Sequence, residues 1–240
     1  MAISKPARKW LKRLFFWVPL WFCLISVGQV VLLKWLNPVT SSFMMTRQAS
    51  AWLHGDWRFG VAYQWRELEK ISSQLPIAVV ASEDQHFPTH NGFDIESMQK
   101  AYQSNARGKK VRGGSTISQQ LAKNLFLWGG RSYLRKGLEA WYTFWIEVFW
   151  SKRRILEVYV NVVEFGDGVY GAEAASKRFF AKPASALSRT EAARLAAVLP
   201  NPKRYDADHP GPYVQRRTRA IERQIRRLGG PNYLNACCAK

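Results

Sequence analysis

In IAVVASEDQHFPTHNGFD, residues 77–94, the sequence changes from an apolar run to acidic, polar and turn-forming residues. The other segments of the chain are interpreted around this stretch. An apolar run, 77–81, delivers the adjacent carboxylates Glu83 and Asp84 to a point where Pro88 and Gly92 break the backbone. We expect the pair to lie at the end of a buried element and to face a cleft. Removal from water makes a carboxylate more basic, which suits proton transfer. An acid pair at a solvated helix end is the simpler alternative.

The composition around this stretch indicates a folded, strongly basic protein. Of the 240 residues 47% are hydrophobic, and 36 lysines and arginines stand against 17 acids, for a net charge of +19. That much apolar material excludes a disordered chain. The charge indicates a polyanionic partner, which is a nucleic acid, an anionic bilayer or a phosphorylated substrate.

The N-terminus is typical of a membrane anchor. Basic residues without an acid precede an uncharged run from Phe15 to Leu33, which is long enough to span a bilayer at about 1.5 Å per residue. A cleaved signal peptide has a shorter apolar core and a small-residue cleavage site, and neither is present. Because basic residues stay in the cytoplasm, we predict that the N-terminus is cytoplasmic and that residues after about 37 lie outside. This topology excludes nucleic acid.

The chain divides into four predicted segments. Residues 1–14 form a basic tail, 15–36 a transmembrane helix, 37–74 a membrane-proximal connector, and 75–240 the outer domain. Apolar spacing of three and four residues dominates the outer domain, and few strands are convincing. We therefore predict a mainly α fold.

A glycine-rich stretch precedes the next helical pattern. Gly113 and Gly114 before Ser115 predict a capped helix to about residue 125, whose first amides form an anion site. A face of amides without charged pairs suits the hydroxyl and amide groups of a sugar. The loop 106–112 carries four cations and is either solvated or a basic flap over an anionic ligand. The polar residues on one face of the helix are Thr116, Gln119, Gln120, Lys123 and Asn124.

Further cations accompany a third acid. Arg131, Arg135 and Lys136 precede Glu139 at the start of another helical pattern. An ion pair between Arg135 and Glu139, four residues apart, is the structural explanation. A binding site for an anionic ligand is the functional one.

A metal site is not predicted. His86 and His90 have a spacing that suits zinc on a helix, but Pro88 lies between them and disfavours a regular turn. The cysteines show no metal-site spacing, and Cys237 and Cys238 are too close in sequence for an ordinary disulfide.

Together these stretches resemble the peptidoglycan glycosyltransferases of glycosyltransferase family 51. The resemblance covers roughly residues 75–205 and depends on five motifs in order. They are Glu-Asp-x-x-Phe-x-x-His-x-Gly at 83–92, Gly-x-Ser-Thr-Ile-Thr-Gln-Gln-x-x-Lys-Asn at 113–124 with Ser118 replacing a threonine, Arg-Lys-x-x-Glu at 135–139, Ile-Leu-Glu-x-Tyr-x-Asn at 155–161, and a fifth at about 191–202.

The resemblance implies a lysozyme-like helical glycosyltransferase domain behind one transmembrane helix, on the periplasmic side of the bacterial inner membrane. The implied reaction polymerises lipid II, a disaccharide-pentapeptide on undecaprenyl pyrophosphate, into cell-wall glycan strands. Lipid II, the growing lipid-linked glycan and the membrane would be the partners, and other cell-wall synthesis or division proteins are further candidates. No cofactor is required, although a divalent cation has room near the pyrophosphate.

The resemblance also implies roles for individual residues. Glu83 would be the general base for the acceptor 4-hydroxyl, which attacks C1 of the donor with inversion, and Glu139 would orient the acceptor or the cations. Asp84 would assist Glu83 or help to hold a divalent ion. The leaving pyrophosphate would be stabilised by Lys123, Arg131, Arg135 and Lys136. The remaining substrate contacts, or supports of Glu83, would be Thr116, Gln119, Gln120 and Asn124.

Two other functions fit parts of the sequence. A lysozyme-like muramidase that cleaves glycan strands would also use one decisive Glu on a helical domain, but it has little use for four nearby cations. A scaffold without activity would leave the polar face of residues 116–124 unexplained.

Overall fold

The computed structural model describes residues 5–99, 114–130 and 132–238. Arg131 and the predicted flap 106–112 lie outside this described part. Within it the chain is mainly helical behind one apolar N-terminal helix, which confirms the predicted fold class. The α-helices are α1 (Lys5–Leu33), α2 (Ser42–Leu53), α3 (Gln74–Glu83), α4 (Ile117–Phe126), α5 (Tyr133–Phe149), α6 (Lys152–Val162), α7 (Ala172–Phe180), α8 (Arg189–Val198), α9 (Pro212–Arg227) and α10 (Asn235–Cys238).

Helix α3 lies at the centre of the outer domain. Every residue from Leu75 to Ala81 is buried, because α6, α8 and α9 pack around this helix. This encirclement explains why its sequence is an unbroken apolar run rather than an amphipathic pattern. Pro76 falls in the first turn, where a missing backbone amide breaks no helical hydrogen bond. The helix ends at Glu83, which places that carboxylate at the edge of the core, as the sequence predicts.

Helix α1 contains a stretch, Phe15–Leu33, that is long and apolar enough to cross a membrane. Its last turns pack against α5, where the indole nitrogen of Trp141 donates to Ser26 Oγ at 3.0 Å. The indole nitrogen of Trp150 likewise donates to the carbonyl oxygen of Val30 at 2.8 Å. The aromatic face of α5 therefore fixes the outer half of α1 to the domain.

The segment between α1 and α3 joins the domain through a small sheet. Its strands are β1 (Ala62–Tyr63), β2 (Glu164–Gly166) and β3 (Val169–Tyr170), in the order β1–β3–β2. Strand β1 is parallel to β3, with Ala62 opposite Val169, and β2 is antiparallel to β3. Both nitrogens of the Arg47 guanidinium fork also contact the Asp167 carboxylate at 2.7 Å. The predicted connector thus contributes α2 and β1 to the folded body.

Candidate active site

The carboxylate of Glu83 is held by donors from three directions. Its Oε1 accepts from the Ser82 hydroxyl at 2.8 Å and from Arg217 Nη2 at 3.3 Å. Its Oε2 accepts from Gln120 Nε2 at 3.2 Å. The side chain is 14% exposed, so it is shielded from bulk water but still reachable. The predicted placement of Glu83 at a cleft is confirmed.

A buried tyrosine fixes the orientation of Gln120. The hydroxyl of Tyr159 donates to Gln120 Oε1 at 2.8 Å, which leaves the amide nitrogen to face Glu83. Tyr159 has no exposed surface, and burial raises its pKa well above the ordinary value, so the hydroxyl keeps its proton. The series Tyr159–Gln120–Glu83 is therefore a directed chain of hydrogen bonds.

Asp84, for which the resemblance implied assistance to Glu83 or a bond to a divalent ion, holds its loop against the start of α4. The backbone amide of Ile117 donates to its Oδ2 at 2.9 Å, and His90 Nε2 lies 2.9 Å from both oxygens. His90 Nδ1 accepts from the Gly92 amide, so the proton of the ring is on Nε2 and points at Asp84. Asp84 is 6% exposed. It occupies the helix terminus for which the sequence predicted an external anion.

The start of α4 differs from the sequence prediction in a second way. Thr116, not Ser115, is the N-cap, and it forms a capping box in which Gln119 Oε1 accepts from the Thr116 amide. The Thr116 hydroxyl donates to the Gly92 carbonyl oxygen at 2.6 Å. Thr116 and Gln119 are buried and paired, so their contacts support the site, and Thr116 also lines the cavity beside Glu83.

Gly92 allows this close packing of the loop against α4 and α5. Its φ is +83°, and a Cβ there would lie 2.8 Å from Glu147 Cγ and 2.9 Å from Thr143 Cγ2. A side chain at this position is excluded by conformation and by space. The loop that carries Asp84 and His90 is thus set against the helices that carry the cations.

The predicted cations Arg135 and Lys136 meet at Glu139. Arg135 Nη1 lies 2.9 Å from Glu139 Oε2, and Lys136 Nζ contacts Oε1. Glu139 is only 3% exposed. Both of its oxygens are engaged by the two cations, so it serves as their counter-charge, and a direct contact with the acceptor is not favoured.

Lys123 belongs to the same group of charges. Burial lowers its pKa, and the charges of Arg135 and Lys136 lower it further, whereas Glu139 and, more weakly, Glu83 oppose the shift. The ammonium also lies 5.5 Å from the centre of the Phe43 ring. Asn124, next along the helix, is buried. Lys123, Arg135 and Lys136 form one cation cluster, and Lys123 is the member whose charge interacts with Glu83.

Two cavities flank the Glu83–Gln120 contact. The first, of about 210 Å³, is lined by Glu83, Ser97 and Ser115 among others. The second, of about 200 Å³, is lined by Gln120 and Lys123. Glu83 thus lines one cavity, and Gln120, which donates to Glu83, lines a second cavity together with a cation.

Sequence reasoning missed Arg217, whose guanidinium touches Glu83. A signal was present, because residue 217 lies three residues after Val214 and four before Ile221, both of which are buried. An arginine in an apolar row usually has a specific partner.

His86 and His90 each contact a carboxylate. His86 Nδ1 lies 2.9 Å from Asp94, and His90 pairs with Asp84. Within residues 5–99, 114–130 and 132–238 no three potential ligand side chains cluster in a way that could hold a metal. Asp84, with its oxygens already accepting, does not fit the predicted divalent ion.

Comparison with known proteins agrees with this geometry. The chain is 60% identical to the biosynthetic peptidoglycan transglycosylase of Xanthomonas euvesicatoria pv. vesicatoria (strain 85-10), over 97% of this chain and 94% of that protein. It is 52% identical to the protein of the same name from Xylella fastidiosa (strain M23), over 94% and 93%. Together with the lysozyme-like helical fold, these relatives make the protein a glycosyltransferase. Residues 56–226 match the family described as Transglycosylase, and the chain belongs to that family.

Proposed function

We propose that this protein is a peptidoglycan glycosyltransferase that polymerises lipid II into glycan strands and releases undecaprenyl pyrophosphate. The names of its relatives and the family match support the coarser function, peptidoglycan transglycosylation in cell-wall synthesis. The observation that carries the finer proposal is the position of Glu83, which lies at the end of a buried helix, lines a cavity and interacts with the charge of Lys123.

Glu83 is the general base in this proposal. Ser82 and Arg217 both donate to its Oε1, whereas Oε2 has only Gln120 as a partner in the described part of the chain. Oε2 therefore has capacity to accept the proton of the acceptor 4-hydroxyl. As that proton moves to Oε2, the acceptor oxygen forms a bond to C1 of the donor. The bond from C1 to the pyrophosphate oxygen breaks on the opposite face, with inversion.

The leaving group takes the electron pair and departs as an anion, so it requires positive charge rather than a proton donor. Lys123, Arg135 and Lys136 supply that charge, and Glu139 holds two of them in place. Because the cations are fixed before reaction, little reorganisation opposes the separation of charge. Arg131, outside the described residues, remains part of the proposed group. No step of this proposal uses a metal ion.

Transfer fits this site better than hydrolysis by a muramidase. A glycosidase needs a protonated carboxyl to protonate the leaving sugar oxygen. Ser82, Gln120 and Arg217 all donate to the Glu83 carboxylate, so both of its oxygens act as acceptors, which is the arrangement that a base needs. The cation cluster also has no role in the cleavage of an uncharged glycan.

We further propose a single-pass protein of the bacterial inner membrane, with a cytoplasmic N-terminus and a periplasmic domain. The basic residues before Phe15–Leu33 support this orientation. The packing of α1 on α5 supports a site close to the bilayer, because α5 also carries Arg135 and Lys136. A membrane-bound pyrophosphate substrate would then reach the cations without leaving the lipid surface.

Purified full-length protein in detergent, supplied with labelled lipid II, tests the proposal. We expect glycan strands from the wild type. Glu83→Gln should lower the rate at least about 1,000-fold, within the range that a general base contributes. Its thermal unfolding temperature should stay close to that of the wild type.

The matched control is Glu67→Gln, which neutralises an exposed acid paired with Lys70 and should leave the rate unchanged. An inactive wild type would contradict the proposed substrate. Normal polymerisation by the Glu83→Gln variant would contradict only the assignment of the base.

A further inference from the structure

One cation at Glu83 is separate from the proposed leaving-group site. Arg217 Nη2 lies 3.3 Å from Glu83 Oε1, 3.1 Å from Ser82 Oγ and 3.4 Å from the Ser82 carbonyl oxygen. Its neighbours on α9, Arg216 and Arg219, are exposed. We infer that Arg217 is a positioning residue for the base, an inference that rests on the proposed function of Glu83.

Glu83 needs support from outside its own helix. It is the last residue of α3, and at Asp84 the backbone leaves the helical conformation with a φ of −160°. Helix ends fray, so the position of a terminal side chain is poorly fixed by the helix alone. Arg217 donates to the Ser82 hydroxyl, and that hydroxyl donates to Oε1 at 2.8 Å. One guanidinium thus fixes Oε1 directly and through Ser82.

This arrangement differentiates the two oxygens of the base. Ser82 and Arg217 occupy Oε1, so a fixed carboxylate presents Oε2 to the acceptor hydroxyl. If the carboxylate tilted away from these donors, neither oxygen would be aligned with the acceptor hydroxyl. Arg217 therefore affects the fraction of bound complexes in which proton transfer can occur, and not the affinity for lipid II.

Helix docking alone does not explain Arg217. Val214 and Ile221 on the same helix are already buried at the α3–α8–α9 contact, so apolar packing holds α9 in place. The guanidinium also keeps a buried Nε without a hydrogen-bond partner in the described part of the structure. An unsatisfied buried donor is unfavourable. The contact of Arg217 Nη2 with Glu83 explains why an arginine occupies this position although its Nε has no partner among the described residues.

The test compares steady-state polymerisation of lipid II by Arg217→Ala, Arg217→Gln and the control Arg216→Ala. We expect Arg217→Ala to lower kcat about 30- to 100-fold and to change KM less than about threefold, since misplacement of a reacting group affects the chemical step. Guanidinium ion at non-denaturing concentration should restore part of the activity of Arg217→Ala and none of that of Glu83→Gln. Arg216→Ala should behave as the wild type.

A folded Arg217→Ala variant with the kcat of the wild type overturns the inference, as does a loss that lies wholly in KM. If Arg217→Ala does not fold, Arg217→Gln decides, because it keeps a polar side chain but not the charged fork. A lowered kcat without a change in KM supports the inference, and a kcat equal to that of the wild type overturns it. An inactive wild type would contradict the proposed function instead, so the two failures are distinguishable.

Discussion

The acids Glu83 and Glu139 lie in contrasting surroundings. The cationic partners of Glu139 are three and four residues away on its own helix. The partners of Glu83 beyond its neighbour Ser82 come from distant parts of the chain, Gln120 on α4 and Arg217 on α9. Glu139 is 3% exposed and both oxygens are engaged by cations, whereas the side chain of Glu83 is 14% exposed. Glu139, paired with residues of its own helix, is enclosed in an ion cluster. Glu83, paired with residues from distant parts of the chain, stays accessible.

The difference separates two tasks that one carboxylate cannot perform together. An acid that neutralises cations has to keep its oxygens engaged. A base has to leave one oxygen available for the incoming proton. Lys123 connects the two regions, because its charge interacts with Glu139 and, more weakly, with Glu83. The comparison predicts that variants in the two regions fail in different ways.

After loss of the base itself, loss of the charge at Lys123 should have the largest effect. We expect Lys123→Met, which keeps an apolar stem, to lower kcat/KM for lipid II about 100-fold, as removal of one preorganised electrostatic contact typically does. The variant should unfold at the same temperature as the wild type or higher, because burial makes the protonated amine unfavourable in the folded state. An unchanged rate would remove Lys123 from the leaving-group site.

The pH dependence of the same pair of proteins gives a second measurement. The pKa of Lys123 is lowered on folding, so between its folded and unfolded values the unfolded chain binds more protons. The contribution of this group to stability therefore rises with pH across that window and is flat below it. Activity should fall across the same window as the charge is lost. In Lys123→Met both trends should disappear relative to the wild type.

Glu139→Gln should reduce activity less, by about 10-fold, but should be the more damaging change for stability. Its removal leaves Arg135, largely shielded, without a counter-charge, while Lys136 is half exposed and loses less. We expect the free energy of unfolding to fall by about 2 kcal/mol, less than for a fully buried pair. Glu67→Gln, in an exposed pair with Lys70, should leave it close to that of the wild type. Thermal unfolding in detergent measures both.

This pattern would be the reverse of that expected for Glu83→Gln, which keeps stability and loses activity. If Glu139→Gln were as stable as the wild type and inactive, Glu139 would contact substrate, as the family resemblance allowed. The contrast between the two acids would then be wrong.

The same contrast explains what the sequence could predict. The buried run that ends at Glu83 and the spacing of Arg135 and Glu139 are local patterns, and both appear in the structure. Periodicity also placed Gln119 and Gln120 on one face of α4, but it does not reveal what covers that face. The loop that carries Asp84 and His90 covers half of it, so Gln119 caps the helix and Gln120 reaches Glu83. Contacts between distant segments depend on the fold.

Removal of the hydrogen bond from Tyr159 to Gln120 should have the smallest effect on kcat. It tests whether contacts from α4 hold Glu83 in place. Tyr159→Phe leaves the Gln120 oxygen without its donor and allows the amide to turn its oxygen toward the Glu83 carboxylate, which repels it. A net hydrogen bond contributes about 0.5–1.5 kcal/mol, so kcat should fall about three- to tenfold with little change in KM. Tyr142→Phe is the control, since that buried hydroxyl makes only a 3.4 Å contact with Gln29. Equal rates for both variants would mean that Glu83 holds its position without α4, and that Ser82 and Arg217 suffice.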